Sequence, residues 1–202
     1  MLNQNSFKMW GGKKMSSDNG KKDEKDDKKK EVDGLRTVFL SGHIIEETTK
    51  DVVQALLRMQ KEDPLSPIKM IVDSFGGSVD AMFAITDTMN SIVPEIETIC
   101  LGKAMSAAAH VFISGTKGRR LMMPHSRLLF HQMTSFTYGS TADIIVDVEE
   151  IKFLQEELYQ EMAEKSNLSI EEVRKLIDRS AYVRPEQAIE MGFADEVVTR
   201  IS

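Results

Sequence analysis

From Arg36 onward the chain alternates short apolar runs with longer stretches whose apolar residues recur every three or four positions. Residues 37–40 predict a strand. Residues 48–62 predict a helix, with Val52, Val53, Leu56, Leu57 and Met59 near helical spacing. The apolar run 68–72 reads as a buried strand leading into Ser74-Phe75-Gly76-Gly77, a tight turn. A helix with Val79, Met82, Phe83 and Met89 on one face follows. Residues 97–101 predict the next strand, 106–113 the next helix, and 119–123 and 127–131 two further short strands. The longest periodic segment, 141–165, sets Ile144, Val148, Ile151, Leu154, Leu158 and Met162 at steps of three or four. Such a stripe serves a helix that projects onto another subunit or one that lies along its own core. Residues 169–177 follow, with Ser169 and Glu172 at capping-box spacing. The chain closes on a helix over 185–191 and a strand over 196–199. Strands alternating with helices predict an α/β fold with mostly parallel pairing.

Residues 1–33 depart from this pattern: positions 21–30 are all charged, between flanks rich in Gly, Asn, Ser and Lys. A segment with so little apolar surface to bury is expected to be a disordered tail, leaving one domain over 34–202. The net charge of −6 on 202 residues, with 41% hydrophobic residues, gives no electrostatic reason to expect nucleic acid or an anionic membrane. No apolar run reaches the length of a membrane span and no secretory leader is legible, so the expected location is cytoplasmic. The single cysteine, Cys100, sits in an apolar run and is expected to be a buried thiol.

Two glycine-bearing segments each stand where a strand should give way to a helix, a junction where free N–H groups gather and the helix dipole favours negative charge. Gly76-Gly77 allows close approach to the backbone, as a tight turn or as an oxyanion site. Gly102-Lys103-Ala104-Met105-Ser106 sets a hydroxyl at a helix start among small residues, where Ser106 is an N-cap or a nucleophile. The Gly-x-Ser-x-Gly elbow is absent. A nucleophilic serine needs a base, and His43, His110, His125 and His131 are available. His110 shares a helix with Ser106, which restricts alignment of imidazole and hydroxyl. His131 ends the strand Leu128-Leu129-Phe130, where a sheet can fix it. Lys103 would offer a Ser–Lys dyad.

Ser74-Phe75-Gly76-Gly77-Ser78-Val79 with Asp87-Thr88-Met89, and Cys100-Leu101-Gly102-Lys103-Ala104-Met105-Ser106, resemble the Clp protease proteolytic subunit family. So do Gly115-Thr116-Lys117-Gly118-Arg119-Arg120 and the segment from Pro124 through Ser126 and Phe130 to His131-Gln132, in matching order and separation from about Leu35 to Val198. The resemblance implies a ClpP/crotonase-like α/β fold of repeated β-β-α units with a long handle helix over 141–165. It implies a serine endopeptidase that cuts unfolded polypeptides by Ser–His acyl transfer in a chamber of paired heptameric rings, served by an AAA+ unfoldase. Ser106 is then the nucleophile, His131 the base, and the N–H groups of Gly77 and Ala107 the oxyanion hole. No metal, organic cofactor, nucleic acid or membrane is implied.

The pattern is not complete. The family usually has proline at Phe75, a different pair of residues at Met105 and Ala107, and a Gln-Pro-x-Gly-Gly run at Gln132-Met133-Thr134-Ser135-Phe136. Counted without gaps, its catalytic aspartate falls on Ser180, with Asp178 two residues earlier. The competing expectation is therefore a catalytically weak or inactive paralogue with a structural or regulatory role in a ring. An acyl-CoA enzyme of crotonase-like architecture is a further class, but it needs no Ser–His pair. No Gly-x-x-x-x-Gly-Lys-Ser/Thr phosphate loop occurs, so ATP would be bound by a partner.

Overall fold

The near-continuous apolar run Ile68 to Val72 suits a strand covered on both faces, as parallel sheets require. In the computed structural model, which describes residues 36–201, it sits in the middle of a parallel sheet. The charged segment 1–33 lies outside the described residues. The order is β1 (Thr37–Ile44), α1 (Glu46–Glu62), β2 (Ile68–Gly77), α2 (Val79–Ser91), β3 (Ile96–Met105) and α3 (Ala107–Ile113). Then come β4 (Arg120–Met122), β5 (Leu128–Phe130), α4 (Thr141–Glu164), α5 (Ile170–Leu176), β6 (Ala181–Val183), α6 (Pro185–Glu190) and β7 (Glu196–Val197). The main sheet runs β1-β2-β3-β4-β7, parallel throughout, with β5 and β6 on a branch. Helices α1 and α2 pack on each other, and α3 packs against β1, β2 and β3.

The branch comes from β3. Its first half pairs with β4, Thr98 facing Arg120, and its second half with β5, Ala104 facing Leu128. One long strand thus feeds two short neighbours, and everything beyond its end is aligned with β5. Strand β6, unexpected from the sequence, pairs antiparallel with β5. Its three residues, Ala-Tyr-Val, are too few to show a period.

The two glycine segments read as turns lie inside strands. Ser74 to Gly77 is the end of β2, where the register with β1 jumps from Gly42–Ser74 to His43–Gly76 and leaves Phe75 exposed. Gly102 lies within β3, at φ +82°, where the register with β2 slips between Cys100 and Ala104. Extra residues at bulges break the two-residue alternation by which a strand is recognised, which is why the expected strands stopped early.

Burial along helix α4 changes from one end to the other. Leu158, Tyr159 and Met162 are buried in the core, whereas Ile145, Val146, Val148 and Phe153 are exposed. The C-terminal half lies on the domain and the N-terminal half projects from it. Cys100 is fully buried, as expected, and burial pushes its thiol pKa up to about 12. No helix among the described residues is long and apolar enough to cross a membrane.

Candidate active site

Register places Met105 opposite Leu129 at the shared end of β3 and β5, so the next residues of both strands leave the sheet together. Ser106 follows β3 and His131 follows β5. The Ser106 N–H donates to the Leu129 carbonyl at 2.7 Å, and the Ser106 carbonyl accepts from Ala109 N at 2.8 Å. Pinned at both ends, Ser106 is held at φ +53°, ψ −129°, a conformation that costs a non-glycine residue about 1–3 kcal/mol and persists only under such constraint. It occupies the N-cap position of α3 but makes no capping hydrogen bond, so its hydroxyl is not spent on the helix. A strand, a strained serine and a helix form the kind of turn that lifts a nucleophile clear of a sheet, reached here without the Gly-x-Ser-x-Gly sequence.

Gly76 makes the turn sterically feasible. A Cβ there would lie 2.5 Å from the Met105 carbonyl oxygen and 2.9 Å from Ser106 Cβ. Gly77 is as tightly held, since its Cβ would fall 2.1 Å from the Ile44 carbonyl oxygen. Gly77, Ser106, Ala107 and His131 line one small cavity of about 50 Å³. Ala107 is the first residue of α3, where a helix leaves N–H groups without intrahelical partners. All four residues expected from the sequence are therefore brought together. A larger cavity, about 320 Å³, opens where α2, α3 and α4 end and includes none of them.

The half-buried His131 sets its Nδ1 2.6 Å from the backbone carbonyl of Gln132. A carbonyl only accepts, so Nδ1 carries the hydrogen and Nε2 keeps a lone pair free to take a proton. Among the described residues no carboxylate is hydrogen-bonded to His131. Asp178 reaches this region through its main chain, where its carbonyl accepts from Gln132 Nε2 at 3.5 Å, and both Asp178 and Ser180 are exposed.

The remaining candidates fall elsewhere. His43 and His125 are exposed. Lys103 is 2.7 Å from Asp73 Oδ1 and lies over the Phe75 ring at 4.3 Å, an ion pair and cation–π contact that do not involve Ser106. His110 is buried and lines the Ser106 cavity, but its Nδ1 faces Glu161 Oε2 at 3.7 Å. Burial pushes the Glu161 carboxyl up, yet His110, Ser114 and Lys165 outweigh it and hold the pKa below its ordinary value. Sequence reasoning missed Glu161 and the Gln132 carbonyl. A carboxylate between Leu158 and Met162, flanking the buried stripe of a helix, was the available signal for the first; nothing in a sequence marks the second.

Comparison with known proteins identifies relatives over most of the chain. The sequence model of a family described as Clp protease matches residues 20–201. ATP-dependent Clp protease proteolytic subunit 1 of Tropheryma whipplei (strain Twist) is 42% identical over 165 residues, 81% of this chain and 80% of that protein. ATP-dependent Clp protease proteolytic subunit 1 of Prochlorococcus marinus (strain MIT 9312) is 37% identical over 165 residues, 82% and 85% of the two chains. The mixed α/β architecture with its parallel sheet is consistent with the fold that such relatives imply.

Proposed function

Because the chain belongs to the Clp protease family, we propose that it is a serine endopeptidase subunit working through Ser106 and His131. The observation that carries the reading is Ser106 itself: a strained, uncapped serine at the end of β3, sharing one cavity with His131, Gly77 and Ala107. In this reading His131 Nε2 takes the hydroxyl proton as Ser106 Oγ bonds to the scissile carbonyl carbon. The N–H groups of Gly77 and Ala107 hold the resulting oxyanion, each worth about 3–4 kcal/mol by comparison with known oxyanion holes. The tetrahedral intermediate collapses, the imidazolium gives its proton to the leaving amine, and an acyl-Ser106 ester remains. Water, deprotonated by His131, then hydrolyses that ester and restores the serine.

The substrate in this reading is unfolded polypeptide, cleaved in a chamber formed by paired heptameric rings and delivered by a separate AAA+ unfoldase. The exposed apolar half of α4, with exposed Phe136 and Tyr138 before it, supports a surface that another subunit covers. The second reading, a weakly active or inactive ring paralogue, is favoured by one observation: His131 has a neutral carbonyl where a triad would have a carboxylate. An activity-based fluorophosphonate separates the two. The expected result is stoichiometric labelling at Ser106, lost together with peptide hydrolysis in Ser106→Ala. An assembled protein that neither labels nor cleaves peptides would favour the paralogue.

A further inference from the structure

The cavity beside Ser106 has apolar walls and one buried polar residue. Val79, Met82, Met133 and Leu158 supply the walls, Thr134 is exposed, and His110, only 5% exposed, is the polar residue inside. The reaction proposed above gives the role of base to His131 and leaves His110 without one; its Nδ1 is turned to Glu161 on α4. At 3.7 Å the two atoms are in ion-pair range but not hydrogen-bonded, and neither His110 Nδ1 nor Glu161 Oε2 has a hydrogen-bond partner. Ser114 Oγ donates to the other carboxylate oxygen at 3.0 Å, and the imidazole edge meets the Phe130 ring at 5.9 Å. With Nδ1 turned to Glu161, the ring has Nε2 left to offer the cavity it lines.

We propose that His110, backed by Glu161, makes this site selective for asparagine or glutamine as the residue whose carbonyl is attacked. The proposal rests on the peptidase reading, because that residue is the one that becomes esterified to Ser106 with its side chain beside the oxyanion amides. Size comes first. The cavity is small, about 50 Å³, which favours a short side chain over an aromatic or long one. Polarity decides among side chains of that size. Neutral His110 presents Nε2 as an acceptor and imidazolium presents it as a donor; an amide has both complements and satisfies either form. A carboxylate suits only the imidazolium, and lysine or arginine only the neutral ring. Leucine has the shape of asparagine but leaves a buried nitrogen unpaired, a loss that binding sites built around a polar contact convert into selectivity.

Asparagine and leucine therefore form a near-isosteric test pair. Fluorogenic peptides differing only at the residue before the scissile bond are assayed on the assembled wild-type protein and on His110→Phe and Glu161→Gln. Fluorophosphonate labelling of each reports whether Ser106 is competent. The expected ratio of kcat/KM for asparagine over leucine is about tenfold or more in the wild type. It falls to unity or below in His110→Phe and moves the same way by a smaller factor in Glu161→Gln. If His110→Phe fails to label, Glu161→Gln carries the comparison. A wild type that labels at Ser106 yet prefers leucine, or a ratio unmoved by the labelled variants, overturns this inference and leaves the peptidase reading intact. A wild type that does not label at Ser106 overturns both.

Discussion

Ser106 and His131 are held by main-chain atoms: Leu129 and Ala109 fix the serine, and the Gln132 carbonyl orients the imidazole. This bears on the residues that could complete a triad. Asp178 contributes only its carbonyl, so Asp178→Asn is expected to change kcat by less than about threefold, against roughly 10⁴ where a carboxylate orients the histidine of a serine protease. Ser180→Asp is expected to raise kcat, because a carboxylate near His131 would stabilise the imidazolium formed during acylation. Peptide turnover of the two purified variants checks both, and a thousandfold loss in Asp178→Asn would make its carboxylate the missing partner. That Ser106, His131, Gly77 and Ala107 meet at one cavity was legible because each stands in a block of several distinctive residues. The strain at Ser106 was not, since φ is set by contacts among β3, β5 and Gly76. Nor was the facing of His110 and Glu161, which requires knowing how α3 and α4 pack.

At the scale of elements, the end of α4, β4 and the segment before β7 are joined by a buried ion pair that periodicity could not reveal. Arg120, 2% exposed, sends Nε and Nη2 to the two Asp195 oxygens at 2.9 and 2.7 Å and Nη1 to the Lys165 carbonyl at the end of α4 at 2.6 Å. Asp195 also accepts from the backbone N–H of Gly118 and Arg120. Burial pushes the Asp195 carboxyl up, but Arg120 and these N–H groups outweigh it and leave the pKa below its ordinary value. A depressed pKa contributes stability fully present above the unfolded value, about 3.9. That stability is lost as pH falls through the lower folded value. Asp195→Asn strands a buried guanidinium and is expected to cost about 3–5 kcal/mol at pH 7. Thermal melts at pH 7 and pH 3 check this: the gap in Tm between variant and wild type narrows at the lower pH. The helices themselves were well legible, including the Ser169–Glu172 capping box. Strands lengthened by bulges and the three-residue β6 were not, because neither shows an unbroken alternation.

For the whole molecule, α4 carries four of the exposed large apolar side chains among the described residues, Ile145, Val146, Val148 and Phe153. Ile145 and Phe153 are 54% and 58% exposed on it, so under the proposed ring assembly Ile145→Asp with Phe153→Asp is expected to shift the sedimenting species from ring-sized oligomers to smaller ones. Sedimentation velocity reads this directly, and an unchanged oligomer would remove that face from the subunit contact. Cys100 offers a probe of how the fold opens. This single thiol sits fully buried in β3, the strand that ends on Ser106, and its pKa of about 12 keeps nearly all of it protonated at neutral pH. A disulfide reagent such as DTNB can react only when the sheet centre opens, so the absorbance of the released thiolate counts opening events. Its rate is expected to rise with urea along the slope of global unfolding; a rate indifferent to urea would mean that β3 breathes alone, carrying the proposed nucleophile with it.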